Sequence, residues 1–151
     1  MDQASLIAWK KLLQLRDGPK ELPRPNLIGV GSARAGSTTL FHIFRDTPGI
    51  SMSPVKELGY FAHNYEHWSE REYLVFFEGT DDDLWRGEVT PHYLQNPESP
   101  ARIRAFNPHT QIIIQLRDPV QRTLSHFRKH RPAHRIDDPN EYFDQALVAY
   151  E

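Results

Sequence analysis

LIGVGSARAGSTTLFHIF, residues Leu27 to Phe44, opens as a short apolar run, crosses a glycine-bearing turn and continues with apolar residues at helical spacing. NLIGVG lies between Pro25 and the turn, and so reads as a buried strand. Leu40, Ile43 and Phe44 then mark the inner face of a helix that Pro48-Gly49 stops. Gly31 and Gly36 have the separation of a phosphate-binding loop, G-x-x-x-x-G-K-[ST], but Ser37 stands where the lysine belongs and Thr38 follows. A strand, turn and helix in this order aim backbone N–H groups at the positive end of the helix dipole. Ser37, Thr38 and Thr39 add hydroxyl donors, and Arg34 adds a permanent charge with a planar fork of donors. Gly36-Ser37 alone also reads as an ordinary turn with a hydroxyl helix cap. Arg34 inside the loop favours an anion site.

Working outward, ISMS is a candidate second strand, and Tyr60 to Phe77 is aromatic-rich and helical in its later part, EHWSEREYLVFF. EGTDDD is a solvated turn and LWRGEVT a further strand. NPESPARIRAFN predicts a short helix capped by Ser99, with Pro100 in its first position. In QIIIQLR, the consecutive Ile112, Ile113 and Ile114 predict a parallel strand covered on both faces. DPVQRTLSHFRKHR opens a helix with Asp118 as cap and Pro119 next, and DPNEYFDQALVAYE repeats the signal with Asp138 and Pro139. Before the first strand, MDQASLIAWKKLLQLRDG reads as a short amphipathic helix on Leu6, Ile7, Leu12, Leu13 and Leu15, ending at Gly18-Pro19. A proline-rich linker follows. The chain thus divides into a helix and linker over residues 1–25 and an α/β unit with a central parallel sheet over residues 26–151.

Composition narrows what such a unit does. The 151 residues suffice for one domain with a real core. With 18 Lys and Arg against 20 Asp and Glu, the net charge of -2 gives no general pull toward nucleic acid or membrane, so anion binding must be local. Cysteine is absent, which excludes disulfides, thiolate metal sites and a cysteine nucleophile, and points to a reducing, cytoplasmic setting. No apolar run is long enough for a transmembrane segment, and the charged start does not suit a signal peptide.

The clearest strand, QIIIQL, ends in Arg117 rather than in an acidic residue. In nucleoside-triphosphate enzymes the loop lysine reaches the phosphates, and a Ser/Thr with a strand-end Asp holds Mg²⁺. A basic strand end is a poor metal site and a good second anion site. These residues therefore suit two separated anionic groups held by arginine, hydroxyls and backbone amides. Among eight histidines, His126, His130 and His134 fall four apart, but Pro132 should interrupt the helix before the third, and no metal is expected. RKHRPAHR reads as a solvated basic face, or as one that attracts an anionic acceptor such as a glycan.

Four segments, taken together, resemble the sulfotransferases that use 3′-phosphoadenosine 5′-phosphosulfate (PAPS), in particular their bacterial and heparan-sulfate-type branch. LIGVGSARAGSTTLFHIF resembles the family's 5′-phosphosulfate loop, and SPVKELGYF the Lys-Glu segment carrying its catalytic base. RGEVTPHYL resembles the Gly-Glu-x-[ST]-Pro-x-Tyr-Leu segment, and NPHTQIIIQLRDPVQRTLSHF the 3′-phosphate motif. The resemblance spans Asn26 to Phe127 and implies a P-loop-like three-layer α/β/α fold with a central parallel sheet, incomplete at its C-terminus. It implies that Arg34, Ala35, Gly36, Ser37, Thr38 and Thr39 hold the 5′-phosphosulfate, and that Arg117 and Ser125 hold the 3′-phosphate. Arg34 stands where many relatives have lysine; it would keep charge stabilisation and give up proton donation to the leaving group.

The implied reaction is in-line transfer of a sulfuryl group to an acceptor hydroxyl, on a carbohydrate, possible glycan, or small hydroxylated compound, releasing adenosine 3′,5′-bisphosphate. Glu57 is the candidate general base and Arg34 the electrostatic catalyst. Lys56 either pairs with Glu57 or faces the transferring group. Glu88, His92 and Tyr93 are candidates for the acceptor side, with Tyr93 and Leu94 equally suited to the core. No nucleic-acid partner is implied, and an incomplete sheet would invite self-association through its edge. Two rivals remain: a truncated, inactive nucleotide-binding module, and a P-loop kinase or NTPase, which Ser37 and the basic strand end count against.

Overall fold

Leu27, Ile28 and Val30 pack inward as expected and form strand β1 (Leu27–Gly31). A computed structural model of the chain describes residues 21–78, 84–134 and 138–148, with the backbone alone for residues 130–134 and 145–148. The expected N-terminal amphipathic helix, the start of the linker and most of the EGTDDD turn lie outside the described residues. After β1 come helix α1 (Ser37–Arg45), β2 (Ile50–Met52), α2 (Glu70–Leu74) with a 3₁₀ turn (Val75–Phe77), and β3 (Trp85–Val89). A second 3₁₀ turn (Pro91–Leu94), α3 (Ser99–Phe106), β4 (Gln111–Gln115), α4 (Pro119–His134) and α5 (Pro139–Val148) follow.

All strand pairs are parallel. β1 pairs with β3, Ile28 opposite Glu88, and on its other side with β4, Ile28 opposite Ile112. β2 pairs with β3, which gives the order β2-β3-β1-β4. The chain therefore moves to one side of β1 first and to the other side last. A reversal of this kind opens a crevice at the carboxyl ends of the strands, beside β1.

The aromatic stretch supplies the main core. Ile28 and Val30 face a cluster that includes Leu58, Phe61, Trp68, Tyr73, Phe77, Tyr93 and Ile103. Tyr60 stacks on Tyr73 with centroids 4.2 Å apart, and Trp68 stacks on Phe76 at 5.6 Å. Such ring pairs add about 0.5–1.5 kcal/mol each beyond their buried area. The α2 start is fixed by a reciprocal cap: Ser69 Oγ accepts from the Glu72 N–H, and the Glu72 carboxylate accepts from the Ser69 N–H.

Four expectations are corrected. α1 buries Phe41 and leaves Ile43 exposed, so the inward face is rotated from the one Leu40, Ile43 and Phe44 suggested. Ser99 is the first residue of α3 rather than its cap; its hydroxyl donates to the Phe61 carbonyl at 2.9 Å, while Asn96 Oδ1 accepts the Glu98 and Ser99 N–H groups. α4 runs through Pro132 to His134. Among the described residues the triple-isoleucine strand is not covered on both faces: β4 is the edge of the described sheet, with Ile114 57% exposed and Leu116, just past the strand, 68%. Asp118 does cap α4, Oδ1 accepting the Gln121 N–H at 2.9 Å, and Asp138 caps α5 in the same way through Asn140.

Candidate functional site

Each strand delivers one part of the crevice at its carboxyl end. β1 leads into the loop Ser32–Gly36, and geometry requires a glycine at each end, Gly31 closing the strand and Gly36 closing the loop. A Cβ on Gly31 would lie 2.2 Å from the Gln115 carbonyl oxygen, the same atom that accepts the Ser32 N–H at 3.2 Å. Gly36 turns the chain into α1 in the left-handed region, φ 98°, and no side chain caps that helix start. The hydroxyl cap of the alternative reading is thus absent, and Ser37 belongs to the first turn of the helix. Arg34 takes the left-handed region as well, φ 70°, a conformation rare for a residue with a Cβ.

The segment after β2 carries Lys56 and Glu57, which form an ion pair. Glu57 also has positive φ, 64°. β3 leads to Pro91 and His92, and β4 to Arg117, with Ser125 and Lys129 following on α4. These parts close around a cavity of about 300 Å³ lined by Ala33, Arg34, Gly36, Ser37, Thr38, Lys56, Glu57, Pro91, His92, Arg117, Ser125 and Lys129. Four permanent cations (Arg34, Lys56, Arg117, Lys129) face one carboxylate, Glu57, an excess of three positive charges in a chain of net charge -2. Focused in a concave site, that excess attracts polyanions.

The two anion sites read from the sequence are contiguous. Arg34 Nε donates to Ser125 Oγ at 3.2 Å, and Arg117 Nη1 donates to the Arg34 carbonyl at 3.3 Å. Of the residues named from the sequence, Ala35 is buried beneath the loop and Thr39 lies exposed on α1, neither lining the cavity. On the acceptor side only His92 lines it: Glu88 and Tyr93 are buried in the core, whereas Leu94 is exposed. Lys129 was missed. It sits one turn beyond Ser125 on the same helix, a spacing of four that puts both on one face.

Another cavity, about 640 Å³, lies at the opposite, amino-terminal ends of the strands, lined by Leu22, Arg24, Glu70, Arg71 and Arg86 among others. Ligands of open parallel sheets bind at the carboxyl ends, which favours the smaller cavity. Among the described residues no three His, Asp or Glu side chains gather as a metal site would require, and His126 instead approaches the Tyr142 hydroxyl at 3.3 Å. No described helix is long and apolar enough to cross a membrane.

A parallel sheet with a glycine loop at its switch point defines a P-loop-like α/β domain. The comparisons with known proteins sharpen that class. The chain is 30% identical over 136 residues to the membrane-associated sulfotransferase kil1 of Dictyostelium discoideum, covering 87% of this chain and 29% of that protein. It is 32% identical over 118 residues to human heparan sulfate glucosamine 3-O-sulfotransferase 3A1, covering 76% and 27%. The crystal structure of a sulfotransferase from Alicyclobacillus acidocaldarius superposes with a TM-score of 0.71 at 26% identity, over 80% of this chain and 56% of that one. No protein-family profile matches the sequence. By sequence and by fold the chain belongs to the sulfotransferases. It spans at most a third of the length of these two curated relatives.

Proposed function

We propose that this chain carries the donor site and the catalytic base of a PAPS-dependent sulfotransferase. The observation that carries this reading is that the α1 start, Arg34, Arg117, Ser125 and Glu57 line one cavity. The residues present suit a nucleotide with a 5′-phosphosulfate and a 3′-phosphate. The N–H groups of the uncapped α1 start, Ser37, Thr38 and Arg34 take the 5′ end, with Ala35, Gly36 and Thr39 shaping the loop and its helix. Arg117 and Ser125 take the 3′-phosphate, and Lys129 extends the positive lining.

In the reaction, an acceptor hydroxyl oxygen forms a bond to sulfur while the bond from sulfur to the 5′-phosphate oxygen breaks. Glu57 takes the hydroxyl proton, and Arg34 and the loop amides stabilise the charge that builds on the departing oxygen. Arginine keeps its own proton at working pH, so the leaving group departs as the anion. Lys56 pairs with the Glu57 carboxylate and stands beside it in the same cavity. The acceptor is a hydroxylated compound, and the heparan sulfate glucosamine 3-O-sulfotransferases among the relatives favour a glycan.

A thermal-shift titration separates this from nucleoside-triphosphate chemistry. Adenosine 3′,5′-bisphosphate without Mg²⁺ should stabilise the chain by about 2.7 kcal/mol at a hundredfold excess over its Kd, while Mg·ATP should do little. Sulfate transfer from radiolabelled PAPS to a panel of glycans and small alcohols then tests the chemistry. Stabilisation by Mg·ATP but not by the bisphosphate would overturn the reading.

A further inference from the structure

Glu88, at the penultimate position of β3, is wholly buried, and none of the groups hydrogen-bonded to it is a cation. The Tyr73 and Tyr93 hydroxyls donate to Oε1 at 2.9 and 2.7 Å, and the Thr90 hydroxyl donates to Oε2 at 2.6 Å. The Leu58 backbone N–H is a fourth donor. A shell made only of donors suits an ionised carboxylate, which accepts and cannot give. Burial raises the Glu88 pKa against the opposing pull of these bonds, and raises both tyrosine hydroxyls well above their ordinary range, so both keep their protons. An unpaired buried carboxylate is costly, a burden an apolar side chain here would not carry.

Its partners converge on one segment, the one bearing Glu57. The Glu57 N–H donates to the Val89 carbonyl at 3.1 Å and the Leu58 N–H to Glu88 itself. The Gly59 N–H donates to Thr90 Oγ1 and the Phe61 N–H to Tyr93 Oη, both at 3.3 Å. Thr90 and Tyr93 can accept these amides because each hydroxyl spends its proton on Glu88. The carboxylate thereby fixes which way two hydroxyls point, and the hydroxyls fix where the segment lies. Glu57 needs such holding, since a non-glycine residue at φ 64° persists only where its surroundings over-determine it.

We propose that Glu88 is a positioning residue: through Thr90 and Tyr93 it locks residues 57–61 in the one arrangement that presents the Glu57 carboxylate to the cavity. The kinetic half of this proposal rests on Glu57 being the base; the structural half stands without it. Glutamine in place of Glu88 keeps the shape but turns one acceptor into a donor, so the hydroxyls on that oxygen lose their acceptor and the arrangement that holds the Leu58, Gly59 and Phe61 N–H groups weakens.

The test compares wild type with Glu88→Gln, Thr90→Val, Thr90→Ser and Tyr93→Phe in the full chain. Hydrogen exchange at Leu58, Gly59 and Phe61 should quicken roughly tenfold or more in Glu88→Gln, while Ile28 and Val30 in β1 stay within about twofold. Thr90→Val should quicken Gly59 and Thr90→Ser should restore it. Equal quickening in β1, or none in residues 58–61, overturns the proposal. If Glu88→Gln does not fold, Tyr93→Phe decides at Phe61, where unchanged exchange overturns it. Turnover in Glu88→Gln should fall roughly tenfold or more with adenosine bisphosphate affinity within about twofold, since misplacement by an ångström is enough for such losses. The loss should vanish in a Glu57→Gln background. A loss that persists there overturns the kinetic half, and absence of transfer in wild type refutes the proposed function while leaving the exchange result to decide the lock.

Discussion

On the β3 side of β1, a buried carboxylate is enclosed by aromatic rings and hydroxyls; on the β4 side, Ile114 and Leu116 are more than half exposed. Both regions are rich in apolar residues, so hydrophobic content does not distinguish them. What differs is the supply of cover. The stretch from Tyr60 to Phe77 folds over Ile28 and Val30, and no described element does the same for β4. The cavity straddles this boundary. Glu57 and His92 come from the over-determined side, and Arg117, Ser125 and Lys129 from the open one. On the proposed function, the base therefore stands on the enclosed side and the groups for the 3′-phosphate on the exposed side.

The sharpest way to break this contrast is Glu57→Gln. Turnover should fall by about 10²–10⁴-fold with bisphosphate affinity unchanged, the loss general-base removal produces. Near-normal turnover would move the base elsewhere. Arg117→Ala should do the reverse, weakening bisphosphate binding by about 1.5–3 kcal/mol, the range for hydrogen bonds to charged groups, as read by calorimetry. Tyr73→Phe leaves the Glu88 carboxylate one donor short, and chemical denaturation should show a loss of about 1–3 kcal/mol. Ile114→Lys, on the exposed strand, should stay within about 0.5 kcal/mol of wild type. A larger loss would mean that β4 is covered after all.

The same contrast has a pH signature. Burial raises the Glu88 pKa above its unfolded value, so the folded protein binds this proton more tightly than the unfolded chain. The stability from that preference is fully present below the ordinary glutamate pKa and is lost as pH rises through the raised one. Glu88→Gln removes the titration. Unfolding free energies measured across pH should show the wild-type advantage over the variant shrinking through that window and level above it. An advantage that grows with pH would mean the four hydrogen bonds outweigh burial.

Much of this was legible in the residues. The β1-loop-α1 unit, the aspartate caps before Pro119 and Pro139, and the parallel sheet all follow from short-range signals, and Arg34, Ser37, Thr38, Glu57, Arg117 and Ser125 do share a cavity. Elsewhere the local signal was ambiguous. Three consecutive isoleucines report what a strand would prefer to contact, not whether a partner is there. Ser99 looked like a cap because it precedes proline, but its hydroxyl is drawn to the Phe61 carbonyl by tertiary packing. Lys129 lay inside a basic run that reads as solvated, and only its spacing from Ser125 marked it out. Glu88 and Thr90, two apart along the β3 exit, would share one side of an extended chain, the one hint that they act together.

The left-handed backbone at Arg34 sets two demands on one position against each other. Glycine there would relax the loop at the expense of the Arg34 side chain and its bond to Ser125. On the proposed function, a screen for heat resistance at this position should therefore select the molecules that bind the bisphosphate worst.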